Sequence, residues 1–324
     1  MLILAYGVAA LLVIVLSLKL SNYVDLLDKQ TNLSGAFLGG VLLAAVTSLP
    51  ELFTSISSVV FLDEPEMVVG NILGSNLFNV AALSMVSLLG FQIIKKRSVA
   101  VSHVKTVMFT LAIYALLVLV AMDFFHIYIF GVNIASILIV VLYVLGVKTL
   151  SGDDSSAAEP AGAAVASGLT ARQILIRFAF LSLCLVMVSV GLTIITDMLS
   201  RTYNLGASFA GAVFLGVATS LPELVSTSQL VRLGNYNAAC GNILGSNLFN
   251  FTILAIADFL YTAGTVYIFG YQSLVLLGCG IAAGLVMLLY VRRNSQIQRT
   301  GTAKNLLLLL AGVICYLVFL LLTV

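Results

Sequence analysis

Charge is what this sequence has least of. Only 9% of its 324 residues are Asp, Glu, Lys or Arg, while 61% are hydrophobic and the mean hydropathy is +1.16. A soluble domain carries about 25% charged residues, so this chain cannot cover a water-facing surface. Stretches of roughly ten residues with alternating polarity, the mark of a membrane β-barrel, are also missing. The apolar runs instead last about 20 residues, enough for helices across a bilayer. Histidine is nearly absent, and His103 and His126 lie too far apart in sequence to suggest a metal site. Cys184, Cys240, Cys279 and Cys315 stand singly in apolar segments with no CxxC pair, so they read as small buried apolar residues. No polar connection is longer than about 20 residues, which leaves no room for a folded regulatory domain. Nothing basic precedes the apolar residues 2–17, so a retained first helix is expected rather than a signal peptide. No nucleophile–base pair and no zinc-type ligand set is visible, and enzymatic activity is not expected.

What is present is a duplication. TSLPEL occurs at 47–52 and again at 219–224, and GNILGSNLFN at 70–79 and again at 241–250. The spacings are 172 and 171 residues, and all sixteen positions are identical. The duplicated part is polar although its surroundings are apolar, and intramembrane polar residues mark functional sites.

Ten spans are predicted, at about 2–21, 33–61, 66–91, 99–122, 126–149, 172–199, 205–232, 236–261, 265–291 and 304–323. The second and seventh are interrupted at Pro50 and Pro222. The Pro/Gly-containing run SGDDSSAAEPAGAAVASG at 151–168 reads as a linker. The fold expected is an all-α integral membrane protein of two five-helix halves, 1–150 and 172–324, joined by a cytoplasmic linker at 151–171. An odd number of spans per half inverts the second half, and transporters of this kind hold substrate near the midplane between the repeats. With the N-terminus outside, fourteen of the fifteen Lys and Arg fall at inner ends and only Arg201 outside, a strong positive-inside bias. The acids Asp63, Glu64, Glu66, Asp123, Asp197 and Asp258 then lie outside, and solvated loops explain them better than a cation-attracting mouth does.

Glu51 and Glu223 each lie about halfway along an apolar span. A charge there costs roughly 2.5–3.5 kcal/mol on insertion scales. A buried ion pair would explain them, but every Lys and Arg lies towards a helix end. Glutamates that stay protonated and only hydrogen-bond are the other bland reading. The functional reading is that the two carboxylates face each other across the repeat interface and bind a cation. Pro50 and Pro222 precede them and remove a helical donor, freeing the carbonyls of Val46 and Ala218 and loosening those of Ala44 and Gly216. Thr47 and Ser48 share a face with Glu51, as Thr219 and Ser220 do with Glu223. Asn71, Ser75 and Asn79 form a stripe at a spacing of four, matched by Asn242, Ser246 and Asn250. Hydroxyls in such helices often serve helix–helix bonding alone. Gly70, Gly74, Gly241 and Gly245 read as packing glycines that let the stripe helices approach the kinked ones. Two glutamates, two asparagines and two freed carbonyls supply about eight oxygens, the number calcium takes. The lack of sulfur or imidazole argues against zinc or copper. The two negative charges balance one divalent ion, two sodium ions or two protons.

The doubled TSLPE and GNILGSNLFN blocks resemble the α-repeats of the sodium/calcium exchanger family, within the calcium:cation antiporters. The resemblance implies the inverted five-plus-five fold and alternating access, with calcium export driven by inward sodium. It places the central ligands on Glu51 and Glu223, and hydroxyls on Thr47, Ser48, Thr219 and Ser220. It places carbonyls on Ala44 and Gly216, and further ligands on Ser75, Asn79, Ser246 and Asn250. Several relatives carry Asp where this chain has Asn250. That departure leaves stoichiometry and coupling ion open, with a proton-coupled antiporter as the alternative and a passive cation channel behind it. No cofactor, nucleic acid or obligatory protein partner is expected. The expected partners are calcium, sodium and the lipid bilayer, and the expected location is a prokaryotic plasma membrane.

Overall fold

Interruptions in the long apolar helices decide this architecture. The structure is a computed structural model that describes the whole chain except residues 32, 62, 96, 125–126, 130, 152–168, 203–218, 296–301 and 324. The first half contains α1 (Leu2–Gln30), α2 (Gly35–Thr47), α3 (Leu49–Val60), α4 (Pro65–Leu89), α5 (Val101–Ala121) and α6 (Ile134–Ser151). The second contains α7 (Ala171–Thr202), α8 (Leu221–Arg232), α9 (Tyr236–Leu260), α10 (Tyr271–Asn294) and α11 (Thr302–Thr323). Among the described residues, seven helices are long and apolar enough to cross a bilayer, eight if the bent α2–α3 pair is one span. The chain is thus a mostly helical, multi-pass membrane protein.

Two expectations need correction. The span predicted from 126 starts only at Ile134, because a short antiparallel hairpin, β1 (Tyr128–Ile129) with β2 (Val132–Asn133), takes the preceding residues. The fold is therefore not purely α-helical. The break predicted at Pro50 occurs at Ser48, whose φ of −90° and ψ of 4° end α2. Pro50 then lies in the first turn of α3, where a missing N–H is harmless. The second copy does the same, with Ser220 at φ −90°, ψ 8° and Pro222 opening α8. α2 and α3 meet at a bend of 40°, and α2 contains a π-helical stretch at Leu38–Leu43. The linker at 152–168 and the first part of the seventh span, 203–218, lie outside the described residues.

α4 and α9 form the centre, with 67% and 78% of their apolar windows buried against 11% for α1 and for α11. α6 packs on α9 and α11 on α4, so each flanking helix reaches the motif helix of the other half. α1 and α7 pack on each other, with α1 leaning on α8 and α7 on α3. Glycine allows the closest approach. A Cβ on Gly241 would lie 2.7 Å from the Ala36 carbonyl oxygen and the Gly40 nitrogen, and one on Gly245 would strike the Gly40 carbonyl. Two of the four motif glycines thus seat α9 against α2. The segment matching α2 in the second half falls on 203–218, outside the described residues.

Asp258 is a further correction. It is not a solvated loop acid but is 1% exposed near the end of α9. Its Oδ2 accepts from the Asn133 N–H at 2.9 Å and the Ser136 Oγ at 2.7 Å, and Ser136 also meets the Tyr267 hydroxyl at 2.6 Å. This acid caps the start of α6 and ties it to α9. Replacing Asp258 by Ala takes the acceptor from the buried Asn133 N–H and leaves Ser136 only the Tyr267 hydroxyl, so it should destabilise the fold by about 1–3 kcal/mol. Thermal melting of the purified protein reads this directly, and an unchanged midpoint would show the tie to be dispensable.

Candidate cation site

The two duplicated blocks meet, and they meet reciprocally. Ser48, at the break before α3, donates to Glu223 Oε1 at 3.1 Å. Ser220, at the break before α8, donates to Glu51 Oε1 at 3.1 Å. Each glutamate is therefore held by a serine from the other half. Ser75 on α4 also donates to Glu51 Oε1 at 3.1 Å and lies 3.0 Å from the Ser220 Oγ. Both glutamates are fully buried, as are Ala44, Thr47, Ser48, Asn79, Thr219, Ser220, Ser246 and Asn250, with Ser75 at 3%. Thr47 Oγ1 lies 3.1 and 3.3 Å from the carbonyls of Leu43 and Ala44, and 3.4 Å from Asn242 Oδ1. Ser246 reaches the Ala44 carbonyl at 3.4 Å. That carbonyl also accepts from Ser48 N at 3.1 Å, so it keeps its helical bond while facing the second half. Gly216 lies outside the described residues.

The asparagines show how the site is built. Asn71 donates to the Glu51 backbone carbonyl at 3.4 Å and to Ser55 Oγ at 3.0 Å. Asn242 does the same to the Glu223 carbonyl at 3.3 Å and to Thr227 Oγ1 at 3.0 Å. These outer members of the stripes brace the first turns that carry the glutamates.

Asn76 and Asn247 were not singled out from the sequence, yet they join the halves. Asn76 Nδ2 donates to the Asn247 backbone carbonyl, and Asn247 Nδ2 to that of Asn76, both at 3.1 Å. A carbonyl can only accept, so each amide nitrogen is fixed and each Oδ1 points the other way. Asn247 Oδ1 accepts from Asn79 Nδ2 at 3.1 Å, and Asn76 Oδ1 from Asn250 Nδ2 at 2.9 Å. Asn250 Nδ2 is also 3.3 Å from Ser75 Oγ. Ser75 meets Asn250 while Asn79 meets Asn247, so α4 and α9 cross antiparallel. The only sequence signal for Asn76 and Asn247 was polarity inside the repeated block, one position off the stripe.

One set of atoms remains. Glu51 Oε2, Glu223 Oε2, Asn79 Oδ1 and Asn250 Oδ1 are buried and have no hydrogen-bond partner. An unsatisfied buried polar group costs about 1–3 kcal/mol, more when charged. All four are acceptors, two belong to carboxylates, and the Lys29–Asp25 ion pair lies elsewhere. The cluster therefore offers negative charge and bare oxygen, and among the described residues its carboxylates accept from serine hydroxyls, not from cations. Oxygen-only ligands with two carboxylates suit a hard cation such as calcium or sodium.

Comparison with known proteins gives an independent view. The family model described as sodium/calcium exchanger protein matches residues 1–152 and 173–324. Inner membrane protein YrbG of Escherichia coli is 30% identical over 94 residues, 28% of this chain and 29% of that protein. Sodium/calcium exchanger MaX1 of Methanosarcina acetivorans is 32% identical over 90 residues, 28% of this chain and 25% of that protein. These matches span less than a third of the curated relatives' own length. A structure of the sodium-calcium exchanger NCX_Mj, soaked with 100 mM Na+ and 10 mM Sr2+, superposes with a TM-score of 0.71 at 19% identity. The superposition covers 97% of this chain and 98% of that one, so the two share a fold. NCX_Mj soaked with neither Na+ nor Ca2+ gives a TM-score of 0.67 at 20% identity over the same shares.

Proposed function

Since the chain belongs to the sodium/calcium exchanger protein family, we propose that it is a secondary antiporter carrying calcium against sodium through the site between its two repeats. The observation that carries this reading is the set of four unpartnered buried oxygens on Glu51, Glu223, Asn79 and Asn250. The two carboxylates balance one calcium or two sodium ions, and one site of fixed charge shared by competing cations is the basis of exchange. Ser48, Ser75, Ser220, Ser246, Thr47, Thr219 and the Ala44 and Gly216 carbonyls complete the proposed ligand set around them.

The same reading takes the chain as ten spans in two inverted halves, 1–150 and 172–324. The N-terminus lies outside and the linker 151–171 inside, in a plasma or inner membrane. The antiparallel crossing of α4 and α9 and the reciprocal Ser–Glu bonds support inversion, because a twofold axis in the membrane plane produces both. Opening the site to each side in turn, by moving α1 and α7 past the broken helices, gives alternating access. Asn at both 79 and 250 leaves two fixed charges, which two protons also balance, so a proton-coupled antiporter is the second reading.

Flux separates them. Proteoliposomes loaded with sodium and diluted into sodium-free buffer should accumulate calcium-45. Uptake driven by a proton gradient and indifferent to sodium would establish the second reading, and equilibration without a counter-ion would refute exchange.

A further inference from the structure

A groove of about 610 Å³ runs between α1 and α7, away from the cation site. Lys19, Asn22 and Tyr23 line it from α1, and Arg177, Phe180 and Leu181 from α7. We propose that this groove binds an anionic glycerophospholipid, its phosphate between Lys19 and Arg177 and an acyl chain along Phe180 and Leu181. The inner leaflet is assigned from the orientation given under Proposed function, but the binding itself does not depend on transport.

The depth of the two cations is the first argument. Residues 2–18, before Lys19, hold seventeen positions without Asp, Glu, Lys or Arg, and residues 178–196, after Arg177, hold nineteen. At about 1.5 Å per residue these span about 26 and 29 Å, close to the ~30 Å hydrocarbon core. Lys19 and Arg177 therefore meet at the same membrane boundary, where headgroup phosphates lie. Charge is the second argument. Neither cation forms an ion pair among the described residues. The acids further along α1 are engaged elsewhere, Asp25 with Lys29 at 2.7 Å and Asp28 with Asn235 Nδ2 at 2.8 Å. With no carboxylate in the lining, a zwitterionic headgroup would find no acceptor for its ammonium, whereas a net negative one is matched. Shape is the third. Phe180 is 66% exposed on the lipid-facing side of α7, so the apolar wall continues from the cations into the hydrocarbon. A soluble anion would leave that wall uncovered. Basic pockets between membrane helices are the usual receptors for such lipids.

The test is binding to purified full-length protein in neutral detergent, read by thermal shift and by native mass spectrometry. Dioleoylphosphatidylglycerol should raise the melting point and remain bound, while dioleoylphosphatidylcholine and soluble glycerol 3-phosphate should do neither. Lys19→Gln with Arg177→Gln should weaken the phosphatidylglycerol effect about tenfold or more, while Lys19→Arg keeps it. Equal binding of phosphatidylcholine, an equal shift from glycerol 3-phosphate, or an unchanged response in the double variant would each overturn the proposal. Should the double variant fail to fold, Lys19→Gln alone carries the same comparison, because Lys19 is exposed.

Discussion

Glu51→Gln or Glu223→Gln should abolish the proposed calcium–sodium exchange and leave the protein folded. The side chain keeps its shape, and its amide oxygen can still accept from Ser220 and Ser75 at position 51, or from Ser48 at position 223. What it loses is one of two negative charges in a fully buried cluster with no basic partner among the described residues. Removing one member of a buried charge pair costs about 3–5 kcal/mol, here felt by the bound ion, which is two to three decades or more in calcium affinity. Folding without ions is not impaired, because a neutral amide is easier to bury than a carboxylate. Two measurements check this. Calcium-45 uptake should fall to the level of empty liposomes. The melting point in ion-free buffer should stay at or above wild type, while the stabilisation on adding calcium, about 2.7 kcal/mol at a hundred times Kd, should vanish. Full transport by either single variant would rule out a shared site.

Alanine at Gly245 should deplete the folded protein outright. A Cβ there strikes the Gly40 carbonyl, and backbone cannot rotate aside as a flexible side chain can. Overpacking typically costs about 1–3 kcal/mol, and a clash with helix backbone belongs at or above the top of that range. The contact also holds α9 near enough to α2 for Ser246 to reach the Ala44 carbonyl and Thr47 to reach Asn242. Any survivors should therefore bind calcium poorly as well. Gly278→Ala is the control, since a Cβ at that position meets nothing within 4 Å. Fluorescence-detected gel filtration of detergent extracts measures the folded fraction. A Gly245→Ala peak and melting point equal to those of the control would show that α2 and α9 do not need this approach.

These two residues mark the limits of what could be read in advance. Glu51 was legible because a charge in the middle of an apolar run is costly wherever the chain folds. The role of Gly245 was only partly legible. Its place in a repeated block suggested packing, but its partner Gly40 lies 205 positions away. The helical break was read at Pro50 because proline is the local breaker, yet the chain turns at Ser48 so that Pro50 enters the next helix in its first turn. Asp258 was taken for a loop acid because it sits at a helix end. Only the return of α6 against α9 made it a buried cap.

By itself the sequence determined the membrane class, the duplication, the two acidic centres and the family. Each follows from composition or from residues close together in the chain, and the bilayer enforces them locally by penalising every unpaired charge and backbone group. Tertiary structure alone decided that Ser48 serves Glu223 and Ser220 serves Glu51, and that Asn76 and Asn247 lock the halves together. It also decided that one oxygen each of Glu51, Glu223, Asn79 and Asn250 is left bare. Those pairings depend on the antiparallel register of α4 and α9 and on backbone contact at Gly241 and Gly245. Register between distant helices is set by shape complementarity over the whole interface, which no local pattern encodes.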